Sequence, residues 1–325
     1  MAICGAVYVN GKIAPAAEAV VPVYDHGFLY GEGVYEVIRT YNGVLFLYEH
    51  HLARLRRSAQ HIHLDVPFDD ATLATWIEQT RAAAGLGSPR SERSGAWGPH
   101  AASELGWVQG APPSNTDAYV RILLTRGVGA TSYDVSATPA PSLVIIVKPV
   151  DNPPARVERD GIRISLVPIL RNHPESVNPI IKSNNLLNNA LAMQEALRRG
   201  GEEGLMCNYR GELAECSQSN FFIVRDGVAL TPRSDAGLLE GITRGFLFDV
   251  ARDAGIEMRR ETLFPKDLET ADEAFITSTT REISPVVRID ERAIGTGKPG
   301  PVTLKLLAGY RKRAQELTAV AAGKF

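Results

Sequence analysis

The chain has 325 residues, enough for two domains, with 44% apolar and 22% charged residues and a formal net charge of -2. That balance, with a sequence pI near 6.4, leaves no strong positive field for nucleic acid or an anionic membrane surface. The longest apolar runs, such as Ser142 to Val147, are strand-sized and far short of a bilayer span.

The first forty-odd residues read as strands. Val7 to Lys12 alternates in polarity around Asn10-Gly11, a hairpin signal, and Asn42-Gly43 separates Val34–Tyr41 from a short apolar run beginning at Val44. Helical spacing follows from Tyr48 to about Ile62 and from Asp69 to Ala84, with Asp69 or Asp70 as the cap of the second. The stretch 85–116 is rich in Gly, Ser, Pro and Ala and reads as a surface insertion, either a lid or a solvated excursion. Strands return at Tyr119–Thr125 and Ser142–Val147. The prolines at 149, 153 and 154 mark residues 150–157 as a linker. Beyond it the sequence predicts a strand over Ile162–Val167, a helix from Ser183 to Arg198, and strands near Gly204–Cys207 and Phe221–Val224. A helix from Ile242 to about Ala254, a strand over Glu273–Thr277 and a helix from Val302 to about Ala321 complete it. Without regular alternation of strand and helix, the expected class is α+β.

The N-terminal Met-Ala-Ile-Cys-Gly has no basic region followed by an apolar stretch, so cytoplasmic residence is expected rather than secretion. Cys4, Cys207 and Cys216 are too few and too irregularly spaced for a disulfide framework or a structural zinc site. Cys216 reads as an inert buried thiol, with a reactive one as the alternative.

Lysine is scarce beside arginine: Lys12, Lys148, Lys182, Lys266, Lys298, Lys305, Lys312 and Lys324. Lys182 alone follows an apolar run, Pro179-Ile-Ile, and opens a predicted helix. A lysine there is partly desolvated near a positive dipole end, which favours the neutral amine needed for imine formation. The competing reading is a snorkelling lysine at a helix end. Two further turns present hydroxyl and backbone donors: Gly241-Ile-Thr243 at a helix start and Thr277-Ser-Thr-Thr280 at a strand end. Each can face a phosphate, although each is commonplace alone. Glu215 precedes the apolar strand at Phe221, as an ordinary loop charge or as the partner of a ring nitrogen.

In order along the chain stand Asp25 to Arg39 (Asp-His-Gly-Phe-Leu-Tyr-Gly-Glu-Gly-Val-Tyr-Glu-Val-Ile-Arg), Arg54 to Ala59, Ile181-Lys-Ser-Asn-Asn185, and Glu215-Cys-Ser-Gln-Ser-Asn-Phe-Phe222. Leu239-Glu-Gly-Ile-Thr-Arg244 and Thr277 to Val286 follow. Together these six blocks resemble the class IV, fold type IV pyridoxal-phosphate-dependent aminotransferases, most closely the branched-chain amino acid enzymes. The resemblance covers nearly the whole chain except 85–116. It implies a D-amino acid aminotransferase-like fold: a small N-terminal domain (1–149), a linker (150–157) and a larger cofactor-binding domain (158–325), with the cofactor between the domains. Lys182 would carry pyridoxal phosphate as a Schiff base and shuttle the proton, while Glu215 pairs with the pyridine nitrogen. Arg54, Ser217, Ile242, Thr243, Ser278 and Thr279 would complete the cofactor site. Tyr30, Tyr35, Arg39, Tyr119, Arg121, Thr279 and Thr280 would line the substrate site.

Within that family, Tyr119-Val-Arg121 resembles the Tyr-x-Arg of branched-chain enzymes. Arg121 would take the side-chain carboxylate of glutamate, unless it is a strand-edge arginine facing water. D-amino acid enzymes place an arginine and a histidine after the Thr-Arg-Gly turn, and here Val128 to Tyr133 supplies neither. Val37, Leu186 and Cys216 depart from the branched-chain pattern, which keeps D-amino acid or amine transamination as alternatives, with aminodeoxychorismate lyase chemistry further behind. The resemblance also implies small-molecule amino acid and 2-oxo acid substrates, no metal, and a homodimer at least.

Overall fold

The computed structural model describes residues 4–86 and 117–323, so the expected 85–116 insertion lies, beyond Leu86, outside the described residues. The chain divides into two compact units. The first comprises Met1–Asp151, Lys182–Asn185 and Leu317–Phe325, and the second Asn152–Ile181 and Leu186–Glu316.

The first unit holds a six-stranded antiparallel sheet in the order β2-β1-β6-β5-β3-β4. Its strands are β1 (Ala6–Val9), β2 (Lys12–Pro15), β3 (Gly33–Tyr41), β4 (Val44–Leu45), β5 (Ala118–Thr125) and β6 (Ser142–Pro149). Asn10 (φ 45°) and Gly11 (φ 92°) turn β1 into β2, and Asn42 (φ 54°) and Gly43 (φ 76°) turn β3 into β4. Both pairs adopt the left-handed geometry that a two-residue hairpin requires, and Asn and Gly tolerate it best. A one-turn helix α1 (His26–Leu29), then α2 (Tyr48–His61) and α3 (Asp70–Ala83) belong to the same unit. Asp69 caps α3 by accepting the Thr72 N–H at 2.7 Å. Alternation along β3 and β5 sends Val34, Ile38, Val120, Ile122 and Leu124 into a core shared with Leu52, Leu55, Leu73 and Ile77 of the helices, all at most 2% exposed. Each such side chain contributes about 1.5–3 kcal/mol by leaving water.

The second unit is built on a nine-stranded mixed sheet, β12-β11-β10-β13-β14-β7-β8-β9, with β15 pairing β14. Its strands run β7 (Ile162–Leu166), β8 (Gly204–Cys207), β9 (Leu213–Cys216), β10 (Asn220–Arg225), β11 (Val228–Pro232), β12 (Met258–Glu261), β13 (Glu273–Ser278), β14 (Glu282–Ile289) and β15 (Arg292–Ala293). Helices α4 (Ala155–Asp160), α5 (Leu187–Arg198), α6 (Ile242–Asp253) and α7 (Pro301–Gly323) are interspersed, α7 running on into residues of the first unit. Leu213, Phe221, Ile223, Ile276 and Val286 anchor a single apolar cluster on this sheet. Residues 150–154 have no regular structure, but α4 begins at Ala155, inside the stretch expected as linker.

The helix expected from Ser183 begins instead at Leu187. The physical reason is competition for backbone hydrogen bonds. Tyr35 donates its N–H to the Lys182 carbonyl at 2.9 Å, and Asn184 donates to the Gly33 carbonyl at 2.8 Å. Ser183 bridges Val34 as a strand partner would. Residues 182–184 are thus committed to the edge of β3, and a helix cannot start until they are passed.

Candidate active site

Within the first unit, β3 and β5 place one row of side chains on the face opposite the core. Arg39 lies directly across from Tyr119, Val37 from Arg121, and Tyr35 from Leu123. The Arg121 guanidinium sits 4.3 Å from the centre of the Tyr35 ring, and the Lys182 Nζ sits 4.4 Å from it. Lys182 is half-buried, and its own N–H donates to Ser58 Oγ at 3.2 Å. Lys182 does not open a helix as expected, since the next one in the chain starts only at Leu187. Of the other lysines, Lys148 is half-buried and paired with Asp151 at 2.6 Å, and Lys12, Lys266, Lys298, Lys305 and Lys312 are less enclosed. Lys324 lies outside the described residues. The Arg39 guanidinium packs 4.1 Å over the Tyr41 ring, and Tyr30 meets the edge of His26 and the ring of Tyr133.

Beneath this row, on the core side of β3, Glu36 is fully buried. It accepts Arg54 Nε–H at 2.6 Å and Nη2–H at 2.8 Å, and lies 2.7 Å from His51 Nδ1. Burial alone would push the Glu36 carboxyl up. The charge and hydrogen bonds of Arg54, joined by His51, outweigh it and hold the group well below the usual carboxylate range. Burial pushes the His51 imidazole down, and the Arg54 and Lys182 charges push the same way against the pull of Glu36. The ring is therefore neutral near pH 7, with Nδ1–H donating to Glu36.

In the second unit Glu215, at the end of β9, is 5% exposed. Its Oε1 accepts Arg171 Nε–H at 2.8 Å, and its Oε2 accepts the Leu239 N–H at 3.1 Å and Asn220 Nδ2–H at 3.3 Å. Ile242 and Thr243 open α6, where the first backbone N–H groups have no helical acceptor. Gly241 is required just before them, because a Cβ there would come within 1.9 Å of Asn220 Oδ1. Ser278, Thr279 and Thr280 lie half-buried in the turn from β13 to β14, where Ser278 Oγ accepts the Arg281 N–H at 3.3 Å. The Ser217 hydroxyl is buried and donates to Glu203 Oε2 at 2.7 Å, so that group is already engaged within the protein. Glu203 also sits 3.3 Å from Arg281. Burial pushes the Glu203 carboxyl up, with Arg281 and the serine donors pulling against it.

Cys216 is 1% exposed, and burial beside the Glu203 and Glu215 charges pushes its thiol up, as an inert side chain requires. No group of three or more metal-ligating side chains occurs among the described residues. The donor set suits pyridoxal phosphate. The first unit offers an amine on Lys182, and the second offers a buried carboxylate on Glu215 and the N–H donors that open α6, each matching one part of that cofactor.

Glu36, His51, Ser58 and Arg171 were not singled out from sequence. A signal existed for the first three. His51, Arg54 and Ser58 fall in the buried stripe of α2 with Leu52, Leu55 and Ala59, and a charge in such a stripe demands a buried partner. Glu36 alternates in phase with Val34 and Ile38 and so points the same way. Arg171 stands in an irregular segment, where no periodicity reports on its direction.

The class IV aminotransferase family model matches residues 33–289. A provisionally named branched-chain-amino-acid aminotransferase of Methanocaldococcus jannaschii is 35% identical over 305 residues, covering 94% of this chain and 95% of that protein. A D-alanine aminotransferase of Listeria innocua is 33% identical over 301 residues, 92% of this chain and 93% of its own. Among solved structures, a branched-chain aminotransferase of the thermophilic archaeon Thermoproteus uzoniensis, with norvaline, superposes with a TM-score of 0.80 at 31% identity. It covers 96% of this chain and 95% of that one. Another solved branched-chain amino acid aminotransferase, with a TM-score of 0.81 at 28% identity, holds pyridoxamine 5'-phosphate. The chain belongs to the class IV aminotransferases, fold type IV enzymes that use pyridoxal phosphate.

Proposed function

We propose that the enzyme exchanges the amino group between a branched-chain L-amino acid (leucine, isoleucine or valine) and 2-oxoglutarate, giving the branched-chain 2-oxo acid and L-glutamate. The observation that carries this reading is the row on β3 and β5. Arg121 and Lys182 both pack against the Tyr35 ring, so a cation able to grip a second carboxylate stands beside the amine. Tyr30, Tyr35, Arg39 and Tyr119 line the substrate side of this reading, and Thr279 and Thr280 receive the α-carboxylate. In this reading Ile242, Thr243, Ser278 and Thr279 hold the phosphate, Arg54 adds its charge while still paired with Glu36, and Ser217 belongs to the cofactor site with its hydroxyl donated to Glu203.

Bound pyridoxal phosphate supplies the electron sink that makes the substrate Cα–H acidic. Lys182 would tether the cofactor through Nζ and, once released by the substrate amine, its amine would take the proton from Cα and deliver it to the cofactor carbon that bore the imine, the shift that amino-group transfer requires. Glu215 keeps a proton on the ring nitrogen. Arg121 orients glutamate or 2-oxoglutarate by its distal carboxylate, a contact that leucine does not make.

Replacing Arg121 by leucine is expected to raise KM for 2-oxoglutarate about tenfold to a hundredfold, the worth of a charged hydrogen bond, while the half-reaction with L-leucine changes little. Equal losses for both substrates would count against Arg121 as the distal carboxylate's partner.

The second reading, transamination of D-amino acids, draws on the D-alanine aminotransferase relative and on Val37, which lies directly across from Arg121. A homodimer forms part of the main reading. Val20, Val23, Tyr24, Phe28 and Tyr133 are exposed in the first unit, an apolar set that a second copy would cover. Light scattering should give twice the chain mass; a monomer at micromolar concentration would remove this part.

A further inference from the structure

Glu215 is held by donors alone. An ionised carboxylate offers roughly four lone-pair sites and no proton. Arg171 Nε–H occupies one at 2.8 Å, and the Leu239 N–H and Asn220 Nδ2–H occupy two on the other oxygen. Among the described residues, three donors and no acceptor therefore face its oxygens, and about one acceptor site is left open.

Arg171 is the one cation in this set, and it is fixed on several sides. Its side chain is 8% exposed, its Nη1–H donates to Asn188 Oδ1 at 2.9 Å, and its backbone N–H donates to the Cys207 carbonyl at 2.8 Å. Asn188 is itself oriented, because its Nδ2–H donates to the Leu170 carbonyl at 2.8 Å.

We propose that Arg171 is a positioning residue for the cofactor's ring nitrogen, acting through Glu215. By holding Oε1, it keeps Glu215 an acceptor, so that a proton shared between the carboxylate and the ring nitrogen resides on the nitrogen. This rests on the reading of Glu215 as the ring-nitrogen partner. Removing the Arg171 charge while keeping a donor lets the shared proton move to the carboxylate. The ring then loses its positive charge and its ion pair with the protein.

The test compares binding of two probes to the apoenzyme by fluorescence quenching: pyridoxal phosphate, and an analogue with C–H in place of the ring nitrogen. Arg171→Gln is expected to weaken pyridoxal phosphate about tenfold and to leave the analogue unchanged, and Arg171→Lys to restore most of the loss. The long-wavelength absorbance of bound pyridoxal phosphate should shift in Arg171→Gln and not in Arg171→Lys. Equal weakening of both probes, or of neither, would overturn the proposal. Glu215→Gln separates the two levels. If it discriminates between the probes and Arg171→Gln does not, Arg171 is merely structural and the reading of Glu215 stands. If Glu215→Gln does not discriminate, that reading fails and the proposal with it. Should Arg171→Gln not fold, Asn188→Ala, which removes the acceptor at Nη1, decides by the same comparison with a smaller expected loss.

Discussion

Replacing Lys182 by alanine is expected to lower the rate of the L-leucine half-reaction by about four orders of magnitude, the upper end of what one positioned acid–base group supplies. The loss has two sources. The variant has no amine to hold the cofactor covalently, and none to take the Cα proton. The fold should survive, because the contacts that place residue 182 are made by its backbone. Its carbonyl accepts from Tyr35 and its N–H donates to Ser58, and both persist in alanine. Stopped-flow absorbance gives the rate, and a urea melt within about 1 kcal/mol of the wild type shows that the loss is chemical. A variant that keeps more than about a hundredth of the rate would mean that another group moves the proton.

The second large effect is on stability. Glu36→Gln should cost about 3–5 kcal/mol, the range for breaking a buried ion pair from one side. Arg54 is 3% exposed, and its Nε and Nη2 both bond to Glu36, so the variant leaves a guanidinium charge in the core without its carboxylate. His51 loses its acceptor as well. The same cluster sets a pH dependence. The folded His51 titrates below its ordinary 6.5, so its contribution is complete above that pH and is lost as pH falls further. The folded Glu36 titrates below its ordinary 4.5, so its contribution is complete above that pH and drains away below it. Both signs agree: urea midpoints should fall on acidification, first below about 6.5 and again below about 4.5. His51→Gln should remove the first fall and keep the second. A midpoint flat from about pH 7 to about pH 5 in the wild type would contradict the buried neutral imidazole.

The parts of the fold that could be read in advance are those where local chemistry and tertiary packing agree. Asn10-Gly11 and Asn42-Gly43 turn as their φ angles require, and Asp69 caps α3 with its own side chain. Around Lys182 the two disagreed. Leucines and asparagines after it have helical spacing, but residues 182–184 meet the edge of β3, at Gly33 to Tyr35, far away in sequence. Periodicity carries no information about such a partner. The site shows the same division. Tyr35 and Arg121 belong to neighbouring strands whose register brings them together, and their motifs could be recognised. Glu36 stood in plain sight within a motif, yet its inward direction became informative only beside Arg54. Arg171 has neither a motif nor a repeat around it, and only the carboxylate it touches gives it meaning.

Transamination of branched-chain L-amino acids by the amine and the arginine that flank Tyr35 is tested most directly by absorbance. The spectrum of the cofactor-loaded protein is recorded before and after separate additions of L-leucine and D-alanine. L-leucine is expected to remove the cofactor band near the visible edge, 2-oxoglutarate to restore it, and D-alanine to leave it unchanged. Loss of the band with D-alanine alone would contradict the branched-chain L-specific reading and turn the assignment toward D-amino acid transamination.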